Sequence, residues 1–277
     1  HLGVVVAAPT LIAQISSNRH RGAALTLWST FFAVSFALLA WAGRPFAEGY
    51  GIQALFAAHG VLVGGIALWL GVALRSVSAV PRKALPDFGG LLRQHLVIYG
   101  SAARISAAAG WLFYTACFVA ILTVLPPFLE PGQRAFVIGT MPLASIAVSM
   151  TLGVWLLRVM PAVGVVMLGF GLSALGAVWL WVAPGDPVAC LALAGAMGLV
   201  QGASFAAVPQ INDSAEHQAQ ANGVMSQAGN LGNTIGTPLM LGAIGMAGYA
   251  GLVTLSAILF LGGLIVHLVL ARARRSA

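Results

Sequence analysis

The sequence predicts an all-α fold, a polytopic bundle of about nine helices that cross a membrane. Three observations predict it. Hydrophobic residues make up 60% of the chain and charged residues 7%, with a mean hydropathy of +0.96, whereas a water-soluble domain carries roughly a quarter charged residues. The apolar residues fall in successive runs of about 20, the length that spans a hydrocarbon core of about 30 Å. Pro, Gly and the charged side chains collect between the runs. In lipid such a run forms a helix, because a helix satisfies its own backbone polar groups.

The first run, His1 to Ile15, is short and lacks the basic flank of a signal peptide, so it is read as a fragment cut within a helix. Ala23 to Trp41 opens after a basic, Gly-ended connection, and Ile52 to Leu74 opens after Gly51. Ile105 to Phe128 ends on a Pro pair. Ala135 to Leu157 carries Pro142 inside it, which neighbouring helices can accommodate in a membrane. Pro161 to Val182 and Val188 to Gln210 are bracketed by Pro, and Ala221 to Ala243 and Tyr249 to Ala271 close the series. Cys117 and Cys190 lie in apolar runs and are read as small core residues.

The formal charge of +7 is a matter of topology, not of a nucleic-acid surface. If the chain crosses at every run, Arg19, Arg21, Arg75, Arg82, Lys83, Arg93, Arg104, Arg158, Arg272, Arg274 and Arg275 share one side, leaving Arg44 and Arg134 opposite. The positive-inside rule makes the first side cytoplasmic, with the C-terminus on it. The connection holding Asp213, Glu216 and His217 carries no Lys or Arg and adds nothing to the assignment.

Two segments look alike. AAPTLIAQISSNRHRG closes the first run and AVPQINDSAEHQAQANG the seventh, and Pro9 to Gly22 nearly equals Pro209 to Gly223 in length. A repeat of that register makes the unit six helices long. Residues 1–75 are then the last three helices of a first unit, 76–104 a cytoplasmic central loop containing Pro81, Pro86 and Gly89–Gly90, and 105–277 a complete second unit.

On NRHRGAA (Asn18 to Ala24) and the Gly-rich NGVMSQAGNLGNTIGTP (Asn222 to Pro238), together with this repeat and central loop, the chain resembles the major facilitator superfamily. The resemblance covers essentially the whole chain and implies an N-terminally truncated member, equivalent to helices four to twelve of twelve. It departs from the family in two places. The loop signature after helix eight survives only as GVWLLR (Gly153 to Arg158), and FALLAWAGRPF (Phe36 to Phe46) lacks the Gly-Pro signature of antiporters.

Candidate site residues follow from helical pitch. At about 100° per residue, Gly229, Gly232 and Gly236 share one face of the eighth run. Gln227, Asn230, Asn233, Thr234 and Thr237 gather on a second, and Ala228, Leu231, Ile235 and Leu239 on a third. One face suits close helix packing, one water or a solute, and one lipid. Asn230, Asn233, Gln201 and Tyr114 lie near the middles of their runs, the depth at which secondary transporters bind substrate. Trp111, one turn from Tyr114, joins them on the predicted pathway, as does Gln227. Arg104, at the cytoplasmic start of its run, is read as a snorkelling side chain or an inner-mouth anion contact. His59 is the one imidazole deep in an apolar run, a coupling candidate for which a structural hydrogen bond is favoured. His267, beside the basic C-terminal end, is read as interfacial.

All six acidic residues lie in connections or at helix ends. The chain therefore offers no carboxylate proton relay within its runs. It has no His cluster at metal-ligand spacing, no phosphate-cradling GxxxxGK[ST] and no cofactor signature, so an intramembrane enzyme and ATP-driven transport are disfavoured. The expected function is secondary active or facilitated transport of a small polar solute by alternating access, in a bacterial inner (plasma) membrane, without a cofactor, metal, nucleic acid or obligatory oligomer. The alternative is a truncated, non-transporting scaffold or remnant.

Overall fold

The computed structural model describes residues 2–73 and 87–275. Arg75, Arg82 and Lys83, with residues 76–86 of the expected central loop, lie outside the described residues. Within them the chain is helical and contains no strand.

α1 (Leu2–Ile15) is followed by a turn in which the Ser17 carbonyl accepts from the backbone N–H groups of His20 and Arg21. The predicted run from Ala23 to Trp41 is interrupted. α2 (Arg21–Ser29) stops at Thr30, α3 (Phe31–Leu38) resumes, and the helix widens over Leu39–Gly43 before α4 (Arg44–Tyr50). The stop has a local cause. The Ser29 hydroxyl donates to the Thr26 carbonyl at 2.7 Å and the Thr30 hydroxyl to the Leu27 carbonyl at 2.8 Å. Such back-bonding competes with the helical ladder and bends it.

α5 (Ile52–Ala73) packs beside α4 and contributes no buried residue. α6 (Phe88–Tyr99) is a difference from the sequence reading, which treats this stretch as loop. Asp87 caps it by accepting from the Gly90 backbone N–H at 2.8 Å, and the cap outweighs the two glycines of its first turn.

The remaining helices form the core. They are α7 (Ala102–Val124), α8 (Pro131–Val148), a widened turn at Ser149–Gly153 leading into α9 (Val154–Val159), α10 (Ala162–Val182), α11 (Pro187–Ile211) and α12 (Ala215–Arg275). Pro131 and Pro187 occupy first-turn positions where no N–H is missed, and the Asp186 carboxylate caps α11 by accepting from Ala189 at 3.0 Å. α12 is two spans in one. Ala247 (φ −141, ψ 17) and Gly248 (φ 60, ψ −141) break it between the predicted eighth and ninth runs, and the positive φ suits only glycine.

α7 lies along α12, α10 packs between α11 and α12, and α8 lies against α11. α1, α2 and α3 pack respectively on α12, α11 and α8, so the first helices close over one side of the core. The glycine face of α12 lets α7 approach closely. A Cβ at Gly236 would sit 2.8 Å from the Ala116 Cα, and one at Gly232 would sit 2.9 Å from the Ala116 backbone nitrogen. Small residues at such crossings gain dispersion contacts that lipid cannot replace. Cys117 and Cys190 are free thiols in the core, as their apolar surroundings predict.

His267 corrects the sequence reading. It is fully buried rather than interfacial, its ring filling the space over Gly110 with the Phe170 ring 6.0 Å away. The bend at Gly248 sends the second arm of α12 back along α7 and α10, carrying this turn into the core.

Candidate functional site

α7 places Trp111, Tyr114 and Phe118 along one face at helical spacing. Trp111 stacks on Tyr114 with centroids 4.7 Å apart, Tyr114 stacks on Phe118 at 5.5 Å, and Phe205 of α11 meets Trp111 edge-on at 5.1 Å. Offset and edge contacts of this kind are the preferred aromatic geometries. They leave Trp111 and Tyr114 6% and 3% exposed.

Gln201 sits behind this wall and is 2% exposed. Its side-chain oxygen accepts from the Tyr114 hydroxyl at 3.0 Å and from the Ser145 hydroxyl at 3.5 Å, and its amide nitrogen donates to the Ser29 backbone carbonyl. Both ends of the amide are thus used, which fixes its orientation. One side chain joins α2, α7, α8 and α11. The Ser29 partner exists because α2 stops there, leaving a carbonyl at a helix end.

Two small cavities flank Trp111. One, of about 40 Å³, is lined by Phe31, Phe205, Asn222, Asn230 and Asn233 among others. The second, of about 10 Å³, is lined by Tyr114, Phe118, Gln201 and Asn233. Trp111, Thr115 and Asn233 border both, so the two adjoin on either side of Trp111 and outline one narrow channel between the helices. A water needs roughly 10–15 Å³ of such space, so the channel holds a few waters and no larger solute.

The structure therefore brings together Trp111, Tyr114, Gln201, Asn230 and Asn233. It does not bring in the others. Gln227 accepts from the Tyr99 hydroxyl of α6. Arg104 donates to the Val97 carbonyl at 3.1 Å and pairs with the His217 ring at 3.0 Å, tying the start of α7 to α6 and α12. His59 stands on the outward face of α5, away from the channel. Phe31, Phe205 and Asn222 are lining residues the sequence reading does not single out. Asn222 is 3% exposed and donates to the Thr10 hydroxyl at 3.0 Å, a second polar bridge from the first helices to α12. Its position in the Gly-rich segment was the available signal.

No protein-family profile matches the sequence, and no curated protein matches it. Solved structures do match. A variant of the fucose:proton symporter FucP of E. coli superimposes with a TM-score of 0.67 over 98% of this chain and 73% of its own, at 15% sequence identity. FucP in the outward conformation, described as a major facilitator superfamily transporter, gives 0.65 over 97% of this chain and 72% of its own, also at 15% identity. The chain has the major facilitator fold. It is an integral membrane fold, with long apolar helices at Ile52–Ala73, Ala102–Val124, Pro131–Val159, Ala162–Val182, Pro187–Ile211 and Ala215–Arg275. At 15% identity the likeness concerns the path of the helices.

Proposed function

We propose that this protein transports a small polar solute across a membrane by alternating access, as a secondary or facilitated major facilitator transporter. The observation that carries the proposal is the polar and aromatic channel lined by buried Trp111, Tyr114 and Gln201, half-buried Asn233 and exposed Asn230, set between apolar helices and bridged to α2 through Gln201. A packing interface between membrane helices needs small residues and an occasional hydrogen bond. Here Asn230 and Asn233 line a cavity instead, and neither side chain donates to or accepts from a neighbour among the described residues.

The channel is too narrow for a solute in this conformation, so admission requires the first helices to part from α7, α11 and α12. In this reading residues 1–75 and 105–277 belong to two units that rock about the channel, joined through residues 76–104, with that connection and the C-terminus cytoplasmic. Neutral amides and a phenol select a neutral, hydroxyl-rich solute over a strongly charged one, and the name of the structurally similar symporter, which carries fucose, is compatible with that class. A scaffold role is the second reading, favoured by α5, which packs only lightly beside α4 and contributes no buried residue.

The test is solute uptake into vesicles by the full-length protein, its Asn230→Ala and Asn233→Ala variants, and a Leu231→Ala control. The expected result is impaired uptake in the two Asn variants at nearly unchanged membrane expression, with the control active. Parallel loss of expression and activity at Asn230 and Asn233 would leave helix packing as their role.

A further inference from the structure

A larger cavity lies elsewhere. About 590 Å³ in volume, it opens where the turn between α1 and α2 meets the end of α9 and the end of α11, and Arg19, Arg21 and Arg158 line it together with Asn18, Leu157 and Gln210. It shares no lining residue with the Trp111 channel. No carboxylate lines it, and the one ion pair among the described residues, Arg44–Glu48, involves none of its arginines.

The donors are poorly satisfied. Arg21 reaches only the Ser16 carbonyl, at 3.5 Å through Nη2, and its Nε is buried without a partner. Arg19 and Arg158 have no hydrogen-bond partner among the described residues. Gln210 uses its oxygen to accept from the Ala162 backbone N–H at 2.8 Å, the first orphan donor of α10, which leaves its amide N–H groups as donors. α2 also begins here with no side-chain cap on its first N–H groups. Guanidinium groups from two separate elements, an amide and an open helix start thus border one cavity that offers donors and positive charge. Like charges on a shared wall repel unless an anion sits between them.

We infer that this cavity binds a phosphoryl oxyanion, held by Arg19, Arg21 and Arg158. The planar donor fork of arginine matches the oxygens of phosphate, and such charge-assisted bonds are roughly twice as strong as neutral ones. A volume of about 590 Å³ admits more than a bare ion, so the phosphoryl group can belong to a free phosphate compound or to a phospholipid headgroup.

The experiment follows thermal unfolding of the full-length protein in phosphatidylcholine nanodiscs, titrated with inorganic phosphate against chloride at equal ionic strength. A second series without phosphate replaces part of the lipid with phosphatidylglycerol. A ligand that binds only the folded state raises the midpoint in a saturable way. A saturable rise with phosphate identifies a free phosphoryl ligand, and a rise confined to phosphatidylglycerol identifies a headgroup. Either supports the site if Arg158→Gln weakens apparent affinity about tenfold or more, as expected for one lost charge-assisted contact. The Arg19→Gln, Arg158→Gln double variant should then abolish the rise. Both side chains are exposed, so these variants are expected to fold. If they do not, Arg158→Lys is read on the same scale, a weakened midpoint supporting the guanidinium contact and an unchanged one overturning it. Arg93→Gln with Arg275→Gln, basic residues outside the cavity, should leave the rise intact. No saturable rise in either series, or equal loss in this control pair, overturns the inference.

Discussion

Gln201 of α11 donates its side-chain amide to the backbone carbonyl of Ser29, where α2 breaks. The bond crosses between the first helices and the core, and the same side chain accepts from Tyr114 on the channel wall. A change at Gln201 therefore reaches both the closure of the channel and the position of an aromatic that lines it.

Replacing Gln201 with Leu keeps the bulk but strands the Ser29 carbonyl and the Tyr114 hydroxyl. A buried polar group left without its partner costs about 1–3 kcal/mol. The expected outcome is a lower thermal midpoint together with faster modification of a cysteine placed at Asn233, since the first helices lose a tie to α11. Thermal unfolding and labelling rates measure the two effects separately.

The close crossing of α7 and α12 should tolerate no added carbon at Gly236. There the obstacle is the Ala116 backbone, which cannot rotate aside. Gly236→Ala is expected to destabilise by about 1–3 kcal/mol, the usual cost of overpacking. Gly242→Ala, on the same helix where a Cβ would meet nothing within 4 Å, is expected to be neutral or slightly stabilising. Unfolding in detergent compares them.

Gly110 and His267 form a complementary pair. A Cβ at Gly110 would run into the His267 ring, meeting Nε2 first with Cδ2 at 2.6 Å, so Gly110→Ala alone should destabilise. Combined with His267→Ala, it should cost less than the two single changes summed, because the removed ring makes room for the methyl group. A double-mutant cycle measures the coupling; strictly additive values would contradict this packing.

The helical membrane fold is legible because the hydrocarbon core sets the length of each apolar run. The break of α2 at Thr30 is less legible, since Ser and Thr also occur in unbroken helices and only their back-bonding settles it. In the channel, Tyr114, Gln201, Asn230 and Asn233 stand out because polar groups are costly in lipid and all four lie near the middles of apolar runs, with helical pitch placing Asn230 and Asn233 on one face. Phe31 and Phe205 do not stand out, being apolar among apolar neighbours. Gln227 is drawn away by Tyr99, whose helix α6 lies in a stretch that Gly89 and Gly90 make look like loop. Chain distance hides the pairing of His267 with Gly110, because it depends on how the second arm of α12 folds back.

The most direct test of a solute channel is the reactivity of single cysteines toward a small water-soluble thiol reagent in membranes, with Cys117 and Cys190 replaced. Cysteines at Asn230 and Asn233, which line the cavity beside Trp111, are expected to react, and added solute to slow them. A cysteine at Leu231, on the outward apolar face, is expected to stay unmodified in lipid. Equal reactivity at Leu231, or protection of Asn230 and Asn233 in every state of the protein, would contradict the channel and leave those amides as packing groups.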